Sequence, residues 1–315
     1  MSFDEIASRL KTEIFRTVFG QDEPVELVLA ALFSGGHVLI EGPPGTAKTL
    51  LMRTVAAACS LNFRRIQMTP DLLPGDVTGA MLFRQDRGEF EFSVGPVFTN
   101  LLLADELNRA SARTQSALLE AMQELTVTAG GVTRYLPDPF LVIATQNPIE
   151  QEGTYPLPIA QLDRFMFKVV VGYPDAESEE RIYRDHHATG ATTTPEKLGV
   201  EQVLNQDHVR ELRKTIRDTH VRDEVLIYVR RLVEVTRNHD SLGLGASPRG
   251  GLMLLTGAKS IARFAGRDYV TPDDIQQIAK PVLRHRLILS PSAEIEGLTA
   301  DGILDDILDS VEVPR

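Results

Sequence analysis

The chain of 315 residues has one cysteine, Cys59. No disulfide can form within it, and a reducing, intracellular setting is expected. It lacks Cys or carboxylate groups at metal-ligand spacing from its one pair of adjacent histidines. The pair His186-His187 ends a helical stretch without such companions, which speaks against a zinc site. No apolar run approaches the roughly 18 residues of a membrane helix. Residues 1–20 are amphipathic and partly charged rather than a secretory leader, so a cytoplasmic protein is expected. Positive charge is in the minority, with 33 basic against 44 acidic residues and a formal net charge of -11. Aromatic–basic clusters are missing too, which disfavours general nucleic-acid binding. There are no repeats and no low-complexity tracts. What is present is ordinary for a globular protein: 43% hydrophobic and 24% charged residues, with length for two domains. Cys59 reads as a small core residue.

Local patterns divide the chain. Phe3, Ile6, Leu10, Ile14 and Val18 recur at helical spacing, and a second helical stretch runs over 23–33 to Gly35-Gly36. Apolar runs at 37–40, 63–68, 100–104, 140–145 and 165–171 read as five strands. Helical patterns separate several of them, notably 111–124. Alternation of this kind predicts an α/β fold with a mostly parallel sheet covered on both faces. After Tyr173-Pro174 only helical patterns remain, over 175–187, 207–219, 222–238, 248–265 and 272–281. The division is therefore 1–188 for the α/β unit, 189–206 for a linker and 207–315 for a helical unit. Its last 22 residues carry seven acidic side chains and one base, Arg315. Ile303, Leu304, Ile307, Leu308 and Val311 form a stripe there that suits packing against the body or, alternatively, a partner.

Between the first strand and the following helix lies Gly42-Pro43-Pro44-Gly45-Thr46-Ala47-Lys48-Thr49, followed by Leu50. Successive amides of a Gly-rich turn, aimed from a helix N-terminus, bind phosphate oxygens. Lys48 adds a positive charge for the β- and γ-phosphates, and the Thr49 hydroxyl suits Mg²⁺. Ala47 stands where Gly is usual. Ala is tolerated there if that residue already has helical dihedrals, since only positive φ strongly demands Gly.

A second apolar strand ends in Asp105-Glu106. The C-terminal edge of a parallel sheet is where ligands bind. Asp105 is placed to hold the hydration shell of Mg²⁺, and Glu106 to orient or deprotonate water. Ala144-Thr145-Gln146-Asn147-Pro148 ends another strand, and Asn147 suits a γ-phosphate or the attacking water, although Asn-Pro after a strand is also a common turn. Arg164 in Leu162-Asp163-Arg164-Phe165 is on its own a surface charge or an ion-pair partner. Arg249 opens a helix, where a cation opposes the helix dipole, so a compensating anion is suspected. Arg64-Arg65 reads as half solvated, and Arg284-His285-Arg286 as surface charge.

In this order the motifs resemble those of AAA+ ATPases, over about residues 10 to 290. The loop corresponds to Walker A, Asp105-Glu106 to Walker B, Asn147 to sensor 1, Arg164 to the arginine finger and Arg249 to sensor 2. The strings Asp105-Glu106-Leu107-Asn108-Arg109-Ala110 and Gln161-Leu162-Asp163-Arg164-Phe165, with Ala before Lys48, are similar to the MoxR subfamily. Leu107 replaces an expected Ile. The resemblance implies a three-layer α/β/α core, a smaller all-α lid, and ATP and Mg²⁺ as ligands. It also implies a homo-oligomeric, hexameric ring, with Arg164 acting in trans and Arg249 in cis. Gly20-Gln21 is similar to the adenine-side segment. The family carries two insertions, matched here by 78–92 and by 125–136 around Gly130-Gly131, a hairpin signal in itself. Arg109 is expected either at a subunit interface or in solvent.

Three functions are compatible with these residues. The first is a remodelling or maturation chaperone acting on a protein partner, commonly one with a von Willebrand factor A domain, and assisting metal or cofactor insertion. The second is the motor subunit of a magnesium-chelatase-like complex. The third is a nucleic-acid motor or loader, which the charge disfavours.

Overall fold

The computed structural model describes residues 2–147, 153–189, 194, 195 and 197–314. Two helices come first, α1 (Phe3–Ile14) and α2 (Asp22–Ser34). α2 is apolar around its whole circumference and buried from Leu27 to Phe33, as suits a helix enclosed between layers. β1 (Val38–Glu41) runs through the glycine loop into α3 (Lys48–Ala58). Then come β2 (Phe63–Gln67), the short α4 (Pro74–Thr78) and an antiparallel hairpin of β3 (Gly79–Arg84) and β4 (Glu89–Val94). β5 (Leu101–Asp105) precedes α5 (Ala112–Glu124), which leads to a second hairpin of β6 (Thr126–Ala129) and β7 (Val132–Tyr135). β8 (Leu141–Gln146), α6 (Ile159–Leu162) and β9 (Phe167–Val170) complete this half. Both insertions therefore fold as hairpins.

The sheet has five strands in the order β2-β5-β8-β1-β9, and every pair is parallel. Alternate side chains sort to its two faces. Val38, Ile40, Leu101, Leu103, Leu141 and Ile143 join one core with α1, α2 and α3. Leu39, Leu102, Ala104, Val142 and Ala144 join the other, with Leu118, Leu119 and Met122 of α5. This is a three-layer α/β/α arrangement, with its central strands β1, β5 and β8 covered on both faces. Cys59 is buried in the first of these cores.

The rest of the chain contains α7 (Ala176–Thr189), α8 (Gln206–Arg217), α9 (Asp223–Arg237), β10 (Leu242–Leu244) and α10 (Pro248–Phe264). α11 (Pro272–Leu283), β11 (Ile288–Leu289), α12 (Pro291–Ile295) and α13 (Ala300–Ser310) follow. The expectation of helices alone is corrected by the antiparallel pair β10–β11. Strands of two and three residues are too short to show a period of two. α11 begins with a capping box from Thr271 and Asp274, and Arg267 grips the buried Asp274 carboxylate with two nitrogens. α13 buries Ile303, Leu304 and Ile307, while Asp301 and Asp305 pair with Arg284 and Lys280. The apolar stripe of this acidic segment thus packs on the body. α10 lies against α2 and β9: Ser260 meets Ser34, and Gly257 faces the Phe167 ring.

Candidate functional site

The loop after β1 forms one wall of a cleft of about 450 Å³. Gly42 is forced by space, because a Cβ there would lie 2.2 Å from the Val171 carbonyl oxygen. Gly45 has φ +82, open to glycine. Ala47 is a correction: its φ is 56 and ψ 19, so it sits in the left-handed region rather than in helical dihedrals. This conformation is strained for Ala, by about 1–2 kcal/mol. It turns the chain so that α3 begins at Lys48. α3 has no side-chain cap and no acidic residue in its first turn. Its first amides are thus left for an anion. Lys48 Nζ donates to the Gly42 carbonyl at 2.7 Å, which holds the ammonium over the loop. Burial pushes its pKa below the usual lysine value, while Asp105, Glu106 and Glu41 oppose that shift. Thr46 Oγ1 donates to the Pro43 carbonyl at 3.2 Å and braces the turn.

Across the cleft stand Asp105, Glu106 and Asn147, with Thr145 and Gln146 from the end of β8. Thr145 ties the carboxylate pair together. Its hydroxyl donates to Asp105 Oδ1 at 2.6 Å and accepts from the Glu106 amide at 2.9 Å. Arg65 donates to Asp105 Oδ2 from Nε at 3.1 Å and from Nη2 at 2.6 Å. Glu106 has φ 57, a second left-handed residue in the lining of this cleft. Glu106 Oε2 accepts from Gln67 Nε2 at 2.6 Å and Arg109 at 3.2 Å. Pro148 lies outside the described residues.

Thr145, Gln67 and Arg65 were not singled out by sequence pattern as partners of this pair. The signal available was position alone, since Gln67 is paired with Asp105 in the sheet register. No cluster of three or more His, Cys, Asp or Glu that could hold a metal exists among the described residues. A hydroxyl and one carboxylate, Thr49 and Asp105, are the donor set here. That set suits Mg²⁺, which takes few protein ligands and completes its shell with water and phosphate oxygens.

A smaller cavity of about 150 Å³ continues from the loop past Thr46, Ala47 and Leu50 to Phe19, Gln21 and Ile182. Gln21 Nε2 donates to the Thr46 carbonyl at 2.9 Å. Gly20 is not part of this lining; it packs against Ser178.

Arg164 and Arg249 are elsewhere. Both line a cavity of about 190 Å³ with Gly36, His37 and Met122. His37 precedes β1 and Arg164 precedes β9, and the first residues of these strands, Val38 and Phe167, are paired. This is the N-terminal edge of the sheet. The loop, Asp105 and Asn147 occupy the C-terminal edge, roughly 13 Å away along a strand of four residues. The expected cis role of Arg249 is therefore corrected: its helix starts beside Asp163, where Ser247 Oγ donates at 3.0 Å, and not over its own chain's loop. Neither arginine is paired with a carboxylate among the described residues.

The expectation for Arg284-His285-Arg286 is also corrected. His285 and Arg286 are buried. His285 Nε2 lies 3.0 Å from the Phe165 carbonyl oxygen, and burial holds its pKa well below the usual imidazole value. Burial pushes the Arg286 guanidinium down to about 10, still charged at neutral pH. Arg64 and Arg65 are held by the Gly95 carbonyl and by Asp105.

The comparisons with known proteins agree with this geometry. The family model for ATPases associated with various cellular activities (AAA) matches residues 37–167, and the AAA lid domain model matches 234–307. YeaC of Bacillus subtilis is 44% identical over 96% of this chain and 92% of its own. Chaperone MoxR1 of Mycobacterium tuberculosis is 46% identical over 96% of this chain and 81% of its own. A crystal structure of a Cytophaga hutchinsonii protein assigned as an ATPase superimposes with a TM-score of 0.92 at 42% identity, covering 99% of this chain and 96% of that one. Magnesium-chelatase subunit ChlI-1 of Arabidopsis thaliana matches at 27% over 62% of this chain. No helix among the described residues is long and apolar enough to cross a membrane. With this sheet order, this loop and these relatives, the chain is an ATPase and belongs to the MoxR family of AAA+ ATPases.

Proposed function

We propose that this ATPase hydrolyses ATP at a site completed by a second copy of the chain, and that it uses the cycle to remodel or mature a protein partner. One observation carries the reading. The phosphate loop, Asp105, Glu106 and Asn147 converge on one edge of the sheet, while Arg164 and Arg249 sit together, without a carboxylate partner among the described residues, at the other. In a ring, one edge of each subunit meets the opposite edge of the next. One chain would then supply the loop amides, Lys48, Thr49, Asp105, Glu106 and Asn147, and its neighbour both arginines. Gln21 and Leu50 would face the base. Mg²⁺ held through Thr49 and Asp105 would supply charge for the phosphate oxygens.

In the reaction a water oxygen bonds to the γ-phosphorus and the bond to the β–γ bridging oxygen breaks. The products are ADP and phosphate, and Glu106 takes the proton of the water. Arginines reaching the γ-phosphate stabilise the transition-state charge and are worth about 10³–10⁵ in rate. Hydrolysis then depends on assembly.

The wider proposal is a hexameric ring working in the cytoplasm as a chaperone. It assigns residues 1–188 to the nucleotide-binding unit and 207–315 to the lid, joined by 189–206, of which 190–193 and 196 lie outside the described residues. Its partner would carry a von Willebrand factor A domain and receive a metal or cofactor. The name of the MoxR1 relative supports the chaperone role. The role of a chelatase motor ranks below it, because that likeness is much weaker.

The test is subunit mixing. Glu106→Gln should bind ATP and hydrolyse it very slowly, and Arg164→Ala should be inactive. Mixed in one oligomer, they should regain activity where an intact Glu106 faces an intact Arg164. No recovery after confirmed mixing would refute the shared site.

A further inference from the structure

Arg286 belongs to none of the motifs that define the site, yet its side chain is only 1% exposed. It reaches across from the lid to the segment carrying Arg164. Its Nε donates to the Asp163 carboxylate at 2.7 Å. Its Nη2 donates to the backbone carbonyls of Asp163 at 3.0 Å and Phe165 at 2.6 Å, and its Nη1 to that of Met166 at 3.4 Å. One planar guanidinium thus fixes the peptide on both sides of Arg164. The other Asp163 oxygen accepts from Ser247 Oγ at 3.0 Å, two residues before Arg249. Asp163 is therefore the junction between the two arginine-bearing segments.

A buried charge is penalised unless it is paired, and an apolar side chain would fill this space at least as well. The charge has a use here. Asp163 is the carboxylate adjacent to Arg164 in the chain, and hydrogen-bonded to the segment that leads into Arg249. Without a cation of its own, it would pair with one of them and withdraw it from the cavity. Arg286 and Ser247 occupy its oxygens instead.

We propose that Arg286 is a positioning residue of the shared site: it fixes the Asp163–Met166 segment and satisfies Asp163, so that Arg164 and Arg249 remain available to the phosphates of a neighbouring subunit. The proposal rests on the shared-site reading, and the two fail differently. Lysine retains the charge of Arg286 but not the planar fork that serves four carbonyls, those of Asp163, Phe165, Met166 and Val282. Arg286→Lys should lower kcat roughly 10- to 100-fold, the effect of a displacement of about 1 Å at reacting groups. Nucleotide Kd, read with a fluorescent ATP analogue, should stay within about twofold, because the chain's own loop is untouched.

Mixing Arg286→Lys with Glu106→Gln should restore activity, since the second chain supplies a correctly held Arg164 to the first chain's intact Glu106. A merely structural defect would weaken nucleotide binding and show no such rescue. Ser247→Ala, a smaller change on the same carboxylate, should show the same pattern more weakly and stands in if Arg286→Lys does not fold. The proposal is overturned if the variant that folds retains wild-type kcat. It is also overturned if that variant loses nucleotide affinity and is not rescued while Arg164→Ala is. If Arg164→Ala itself is not rescued, the shared site falls, and this inference with it.

Discussion

Acidification from pH 7 to pH 5 should destabilise the chain through His37. This imidazole is buried at the start of β1, edge-on to the Phe140 ring. Its Nδ1 accepts from the Val142 amide at 3.0 Å, and Nε2 lies 3.1 Å from the Met122 carbonyl oxygen. The ring is therefore the neutral tautomer with its proton on Nε2. Protonation would place a second proton where Val142 N–H already points, in a buried site near the Arg213 charge. Burial accordingly pushes the pKa from 6.5 down to about 4. Above pH 6.5 neither state binds the proton. Between 6.5 and 4 the unfolded chain takes it up and the folded chain does not, so stability is lost as pH falls. Integrated over those values, the loss is about 2 kcal/mol at pH 5 and about 3 kcal/mol at pH 4. His285, also buried and lowered, acts in the same direction. Urea unfolding followed by circular dichroism at the two pH values reads the difference. His37→Gln leaves the Val142 amide without its acceptor and should lose about 1–3 kcal/mol at every pH. Its own loss between pH 7 and pH 5 should be smaller than that of the wild type by about 2 kcal/mol. A variant that keeps the full wild-type loss would refute the assignment.

Two substitutions test backbone and packing. Ala47→Gly removes the left-handed strain of about 1–2 kcal/mol and adds about 0.5–1 kcal/mol of unfolded-chain freedom, so Tm by calorimetry should hold or rise slightly; a clear fall would contradict the dihedral. Gly257→Ala should do the opposite of what helix propensity suggests. In an open helix the change gains about 1 kcal/mol. Here the new Cβ would meet Ile278 Cδ1 at 2.7 Å and Phe167 Cζ at 3.0 Å, so a net loss of about 1–3 kcal/mol is expected in urea unfolding.

The central strands were legible because a sheet covered on both faces writes them as unbroken apolar runs, such as Leu101-Leu102-Leu103-Ala104, all fully buried; the edge strand β2 carries Arg64, Arg65 and Gln67 and is largely exposed. The loop was legible because its chemistry depends on short-range geometry that a string of eight residues specifies. Ala47 was misread for the same local reason: its side chain is compatible with either hand of dihedral, and only the loop as a whole selects one. Arg286 could not be found at all by pattern. It is 123 residues from Asp163 in the chain, and a charge triplet after a helix is solvated in most contexts.

The placement of Arg249 is the most instructive failure. Its position at a helix start announced an anion, but nothing in the chain says which copy of the protein brings that anion. Connectivity supports the proposed sharing between copies. β1 and β9 are parallel neighbours, so whatever precedes β9 must lie at the end of the sheet where β1 begins, and the loop that follows β1 must lie at the other end. Arg164 cannot reach Lys48 of its own chain without undoing the pairing of Val38 with Phe167. The hydrogen bond from Ser247 to Asp163 then carries Arg249 to the same end as Arg164. A parallel sheet thus separates the loop and the two arginines within one chain, and the proposed shared site reunites them by placing two copies edge to edge.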